Sequence, residues 1–157
     1  MGLLSFFKGV GEKIFHKEQV AAPADPAQAE KVEPLRAQAL LDHVKQLGLA
    51  YNALTVKTKG DTVILSGSVK SQEDAEKIAL AVGNVEGVSA VDNQLDVAEP
   101  TPAGTFYTVK SGDSLSKIAK EVYGDATKYG IIFEANKPML KDPDLIYPDQ
   151  VLRIPQL

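Results

Sequence analysis

The chain of 157 residues contains no cysteine and only two histidines. Without cysteine, a disulfide framework, thiolate metal ligation and cysteine catalysis are excluded, so stability must come from packing or from a ligand. His16 and His43, with no thiolate to join them, leave no zinc-binding set. No segment approaches the roughly 20 apolar residues that a membrane span requires. An excess of positive charge is missing too. Formal net charge is -4, residues 30–98 carry seven basic and ten acidic side chains, and residues 106–157 carry seven of each. Lysines interleaved with carboxylates do not make the basic face that a phosphate backbone calls for, which argues against nucleic acid as a partner.

The first fifteen residues lack the basic start and the unbroken apolar stretch of an export signal, because Lys8 interrupts the run. The expected compartment is therefore the cytoplasm. Leu3, Phe7, Val10 and Ile14 recur at helical spacing, so residues 1–19 predict a short amphipathic helix, weakened by Gly9 and Gly11. Two uses compete for its apolar face. One is docking onto the neighbouring domain; the other is membrane-surface contact through Leu3, Phe6 and Phe7, which normally comes with a more basic polar face.

Residues 20–29 form an Ala/Pro linker without periodicity, and residues 99–105, beginning Glu99-Pro100-Thr101-Pro102, make a second break. Two domains follow, 30–98 and 106–157. In the first, Val32, Leu35, Ala39, Leu40, Val44 and Leu47 give a helical period, with Pro34 tolerable in a first turn and Gly48 as its stop. Leu54 and Val56, then Val63 and Leu65, alternate across Lys59-Gly60-Asp61, a hairpin signal. Ser71 and Asp74 open a helix containing Ala75, Ile78, Ala79 and Val82, and Gly83-Asn84 ends it. A last strand carries Val88, Val91, Leu95 and Val97, its spacing slipping once at residues 92–94. The second domain reads as strand (106–109), helix (114–123), helix (127–136) and strand (151–154). Leu115, Ile118, Ala119 and Val122 form the inner face of its first helix, and Ile131, Ile132 and Ala135 serve the second. The fold class is α+β, αββαβ followed by βααβ.

Several motifs invite chemistry. Gly112-Asp113-Ser114-Leu115 matches the letters of a serine hydrolase block, yet both histidines precede it and no base accompanies the serine. A turn at Gly112 and a helix cap from Asp113 or Ser114 account for it. Asp142-Pro143-Asp144 starts like a calcium loop, but Tyr147 and Arg153 stand where glycine and glutamate are needed. Glu73, Asp74 and Glu76 are explained by dipole compensation in a first helical turn. A large monovalent cation is different, because neutral carbonyl oxygens suit it and leave no side-chain trace. Val82-Gly83-Asn84 with Gly87, and Phe7-Lys8-Gly9-Val10-Gly11, are two places where carbonyls can converge. The same glycines also serve simply to end a helix and permit a turn.

Leu65-Ser66-Gly67-Ser68-Val69, the helix 71–82 and Gly87-Val88-Ser89-Ala90-Val91-Asp92-Asn93 resemble a BON domain, a family often linked to membranes or phospholipids. Phe106-Tyr107-Thr108-Val109-Lys110-Ser111-Gly112-Asp113-Ser114-Leu115 and Ile146-Tyr147-Pro148-Asp149 resemble the bookends of a LysM module, which usually binds cell-wall glycans. With Met1-Gly2-Leu3, Ala81-Val82-Gly83-Asn84-Val85-Glu86-Gly87-Val88 and Phe133-Glu134-Ala135-Asn136-Lys137-Pro138-Met139-Leu140-Lys141, the whole is similar to the small bacterial potassium-binding proteins that join these two domains. That resemblance implies a non-enzymatic potassium sensor. Its ligands would be the carbonyls of Phe7, Lys8 and Val10 from the N-terminal segment and of Gly83, Val85 and Val88 from the turn, with the two domains drawn together around the ion. It also implies a glycan groove at Gly112, Asp113, Ser114, Leu115, Ile146, Tyr147, Pro148 and Asp149, for which a peptidoglycan fragment would be the ligand. Asp149 departs from the family's usual glycine, which predicts another turn type there. The linkers imply a monomer.

Overall fold

The structure, a computed structural model, describes residues 3–6, 26–85, 87–101 and 105–155. The chain divides into two units, Met1–Thr101 and Pro102–Leu157. The first contains β1 (Leu3–Ser5), α1 (Pro26–Leu47), β2 (Ala53–Lys59), β3 (Thr62–Ser71), α2 (Gln72–Gly83) and β4 (Ala90–Glu99). The second contains β5 (Thr105–Thr108), α3 (Leu115–Tyr123), a 3-10 turn (Ala126–Lys128), α4 (Tyr129–Ala135) and β6 (Val151–Ile154). The α+β class is the one expected, and after β1 the order αββαβ then βααβ is the expected one too.

The four strands of the first unit lie in the order β1-β4-β3-β2. β2 and β3 form the antiparallel hairpin, with Gly60 at φ 63 in its turn. β3 and β4 are parallel, and α2 is the crossover that parallel strands require. Val63, Leu65 and Val69 on β3 and Val91 and Leu95 on β4 are buried, as are Ile78, Ala79 and Val82 on α2.

Four readings change here. Leu3–Ser5 is a strand paired antiparallel with residues 90–92 of β4, not the start of a helix; an open sheet edge offers backbone partners that a short isolated helix lacks. The rest of the segment 7–19 lies outside the described residues. Helix α1 starts at Pro26, within the stretch expected to be a linker, because proline suits a first helical position. Pro34 therefore sits in the helix interior. On its inner face Leu35 is exposed and Arg36, Leu40 and Val44 are buried instead, since the Arg36 guanidinium finds carbonyl acceptors inside. Finally, β4 keeps its alternation: Asn93 occupies the inward position between Val91 and Leu95, and its Oδ1 accepts from the Leu95 N–H at 3.2 Å.

In the second unit β5 and β6 pair antiparallel, and Leu115, Ile118, Ala119, Ile132, Leu140 and Leu152 lie in its core. Val122 and Ile131, expected inside, are exposed. Buried Asn136 joins α4 to β6. Its Nδ2 donates to the carbonyls of Ile132 (2.7 Å) and Arg153 (2.9 Å), and its Oδ1 accepts from the Arg153 N–H (2.7 Å).

Candidate functional site

Ser71 begins α2 by accepting the Asp74 N–H on its Oγ at 3.1 Å, with Glu73 and Asp74 in the first turn as expected. Glu73 pairs with Lys77 at 3.0 Å, whereas Glu76 is buried and does not act as a solvated dipole charge. The helix ends at Gly83, where the Asn84 N–H donates to the Leu80 carbonyl at 3.0 Å. The chain then turns: the Val88 N–H donates to the Val85 carbonyl at 3.1 Å, and Gly87 has φ 102, a conformation natural to glycine.

Around this turn several parts of the sequence converge. The Phe6 N–H donates to the Ser89 carbonyl at 2.8 Å, and the Ser89 N–H donates to the Asp61 carbonyl in the hairpin turn at 2.9 Å. The Phe6 ring stands against Gly83. Arg36 Nη1 donates to the Gly60 carbonyl and Nη2 to the Gly87 carbonyl at 3.2 Å. So the N-terminal segment, α1, the hairpin turn and the end of α2 meet at one place.

Gly83, Val85 and Val88 are buried. Among the described residues no turn hydrogen bond reaches the carbonyl oxygens of Gly83 or Val88, and that of Val85 accepts one from the Val88 N–H. Buried backbone oxygens are nearly always paired, so two that accept from no described residue, in a six-residue turn at the negative end of a helix dipole, fit a cation. Phe7, Lys8 and Val10 lie outside the described residues. No group of three or more His, Asp or Glu side chains suited to a metal occurs among the described residues. Sequence reasoning missed Arg36 altogether; a cation at a position that should continue an apolar stripe with Leu40 and Val44 was the available signal.

The second unit has a surface groove of about 230 Å³ lined by Ser114, Leu115, Ser116, Tyr129, Pro143 and Asp144. Of the glycan residues expected, Ser114 and Leu115 border it. Ser114 caps α3 through the Lys117 N–H (3.2 Å), and the Leu115 side chain belongs to the core. Gly112 makes its turn at φ 86, and Asp113 Oδ2 accepts from the Tyr107 hydroxyl (3.0 Å) and the Lys110 N–H (2.9 Å). Ile146 packs on the core, the Tyr147 N–H donates to Gln150 Oε1 (3.2 Å), and Pro148 is exposed. Asp149 has φ 69, so the glycine-like turn geometry is retained rather than replaced, and its N–H donates to the Val109 carbonyl at 2.8 Å.

Residues 35–99 match the BON domain family and residues 107–155 the LysM domain family. Over 157 residues, covering 99% of each chain, the sequence is 45% identical to the protein named Potassium binding protein Kbp of Escherichia coli O6:H1. The chain belongs to this two-domain BON–LysM family. An uncharacterized protein of Deinococcus radiodurans is 40% identical over 131 residues, 76% of this chain and 51% of that one. The carbonyl turn thus lies within the BON match and the groove within the LysM match. No described helix is long and apolar enough to cross a membrane.

Proposed function

We propose that this BON–LysM protein binds potassium through main-chain oxygens and acts as a cytoplasmic, non-enzymatic sensor of that ion. The observation that carries the reading is the buried turn at the end of α2, where the Gly83 and Val88 carbonyls accept from no described residue. The name of the relative that matches along almost the whole chain supports it. Carbonyl oxygens that replace hydration water select a large, weakly hydrated monovalent ion. The carbonyls of Phe7, Lys8 and Val10 would complete the ligand set, brought in by the anchor at Phe6. An ion that contacts only the closed form stabilises it by RT ln(1 + [L]/Kd), so binding would draw the BON and LysM units together and report ion level as a change of shape.

Thermal unfolding in potassium chloride against sodium chloride at equal ionic strength tests the binding, because matched salt removes general screening. A melting point raised by potassium alone is the expected result; superimposable curves would sink the reading. Small-angle scattering with and without potassium tests the closure separately.

The groove beside Ser114, Ser116, Tyr129 and Asp144 favours a second reading, a LysM unit that holds a peptidoglycan fragment. Retention on purified peptidoglycan, set against release from it at moderate salt, tests that.

A further inference from the structure

The LysM groove of about 230 Å³ is small beside the roughly 300–1,000 Å³ of pockets that enclose drug-sized ligands, so it suits a single sugar ring better than a chain buried whole. Its lining offers three kinds of group. The Tyr129 ring, 44% exposed, and Pro143 give an apolar face of the sort that packs on the C–H face of a sugar. Ser114 and Ser116 bring hydroxyl oxygens 3.2 Å apart. Asp144 carries the one charge in the lining. Among the described residues its carboxylate has no hydrogen-bond or ion-pair partner, and neither has the Tyr129 hydroxyl. The Asp144 N–H donates to Asp142 Oδ1 at 2.9 Å, which places a second acid close by in the loop. Lys117, one residue beyond Ser116, is turned to another use, its Nζ donating to the Gly112 carbonyl at 3.1 Å.

Resting on the glycan reading above, we infer that Asp144 sets the charge preference of this groove, which takes an amino sugar whose amine is free and protonated rather than N-acetylated. The amino sugars of cell-wall polymers come in three charge states: neutral when N-acetylated, negative when a lactyl ether is also present, and positive when the amine is free. Ring face and hydroxyls serve all three alike. The carboxylate does not, because it attracts the ammonium, gains little from the neutral amide and repels the lactyl carboxylate. No basic side chain lines the groove to reverse that order. An ammonium close to the Tyr129 ring also gains from the negative face of the ring.

The test titrates the full chain with a glucosamine tetramer and with an N-acetylglucosamine tetramer, followed by NMR amide shifts at low salt and mildly acidic pH, where carboxylates and amines are both charged. The glucosamine tetramer is expected to bind about three- to fivefold more tightly, the upper range for a solvent-exposed ion pair, with shifts centred on Ser116 and Tyr129. Asp144→Asn keeps the loop's backbone hydrogen bond to Asp142 and is expected to abolish the preference. Asp96→Asn, which removes the same charge from an exposed position on β4 of the BON unit, is expected to preserve it. An equal loss in both variants would mean attraction to the chain's overall negative charge and overturns the inference. Equal or tighter wild-type binding of the N-acetylated tetramer overturns it as well, while leaving the glycan reading intact. Binding of neither tetramer also overturns it, and retention on purified peptidoglycan then decides whether the glycan reading falls too.

Discussion

The ring of Phe6 fills the space that a side chain at Gly83 would need. Phe6 is 7% exposed, and its N–H is bonded to Ser89. One ring and one hydrogen bond therefore fasten the residue after β1 to Gly83 at the end of α2 and to Ser89 beyond the turn. This contact also withdraws Phe6 from any membrane surface.

Gly83→Ala is expected to destabilise the BON unit by about 1–3 kcal/mol, because the new methyl group overpacks against the ring. In a Phe6→Ala background the same change should cost much less, since the methyl then enters vacated space. Urea unfolding of the two single variants and the double variant measures the coupling. Additive losses would mean that the ring is not what excludes the side chain.

Tyr107 should set part of the alkaline limit of the LysM unit. Its hydroxyl lies 3.0 Å from Asp113 Oδ2 and 3.0 Å from Glu121 Oε2. Partial burial, then these hydrogen bonds and the two carboxylate charges, hold its pKa well above the ordinary tyrosine value. The fold favours the neutral phenol. Its contribution is complete below the unfolded pKa of about 10 and is lost as pH rises through the higher folded value. Tyr107→Phe should therefore lose less stability between neutral pH and strong alkali than the wild type. Tyr123, raised by burial and bonded to the Pro155 carbonyl, remains as an internal control.

Asn136 makes two hydrogen bonds to Arg153 on β6 and one to Ile132 on α4. Asn136→Ala removes the two bonds that tie α4 to Arg153, at roughly 0.5–1.5 kcal/mol each. The expected signature is faster hydrogen exchange of the Arg153 amide, with amides of β3 in the BON unit unaffected. Equal loss of protection in both units would place the effect elsewhere.

At Asp149 the backbone takes φ 69. Asp149→Val is expected to cost about 1–2 kcal/mol, because a β-branched residue resists the left-handed region more than aspartate does. Asp149→Gly should stay within about 1 kcal/mol of the wild type, the relief of strain being offset by the freedom of glycine in the unfolded chain. Denaturant midpoints of the two variants provide the comparison.

Period and punctuation made most of the fold readable. Ser71 and Asp74 marked the start of α2, Gly60 the hairpin and Gly83-Asn84 the helix end, since each is a local effect of one cap or one backbone angle. What was not readable depended on distant partners. Arg36 replaces Leu35 inside because two carbonyls from other parts of the chain accept its protons. Asn93 looked like a slip in the pattern because apolar periodicity does not count a polar side chain that bonds its own strand. Leu3–Ser5 carried a helical spacing yet joined a sheet whose edge is built by residues 90–92. At the candidate ion site the glycines were visible, but the convergence of Phe6, Arg36 and the hairpin turn on residues 83–89 is a property of the folded chain.

The pairing of β1 with β4 also orders events in time. Leu3–Ser5 is translated long before Ala90–Asp92, and the two come together antiparallel across nearly the whole BON unit. Closing so long a loop is entropically costly until the rest of the sheet and α2 have formed. Of these two paired segments, the earlier in the chain thus has to wait for the later. Until it does, the β4 edge at residues 90–92 stands open to strands of other chains, so crowded synthesis is a stage at which this fold is exposed to aggregation.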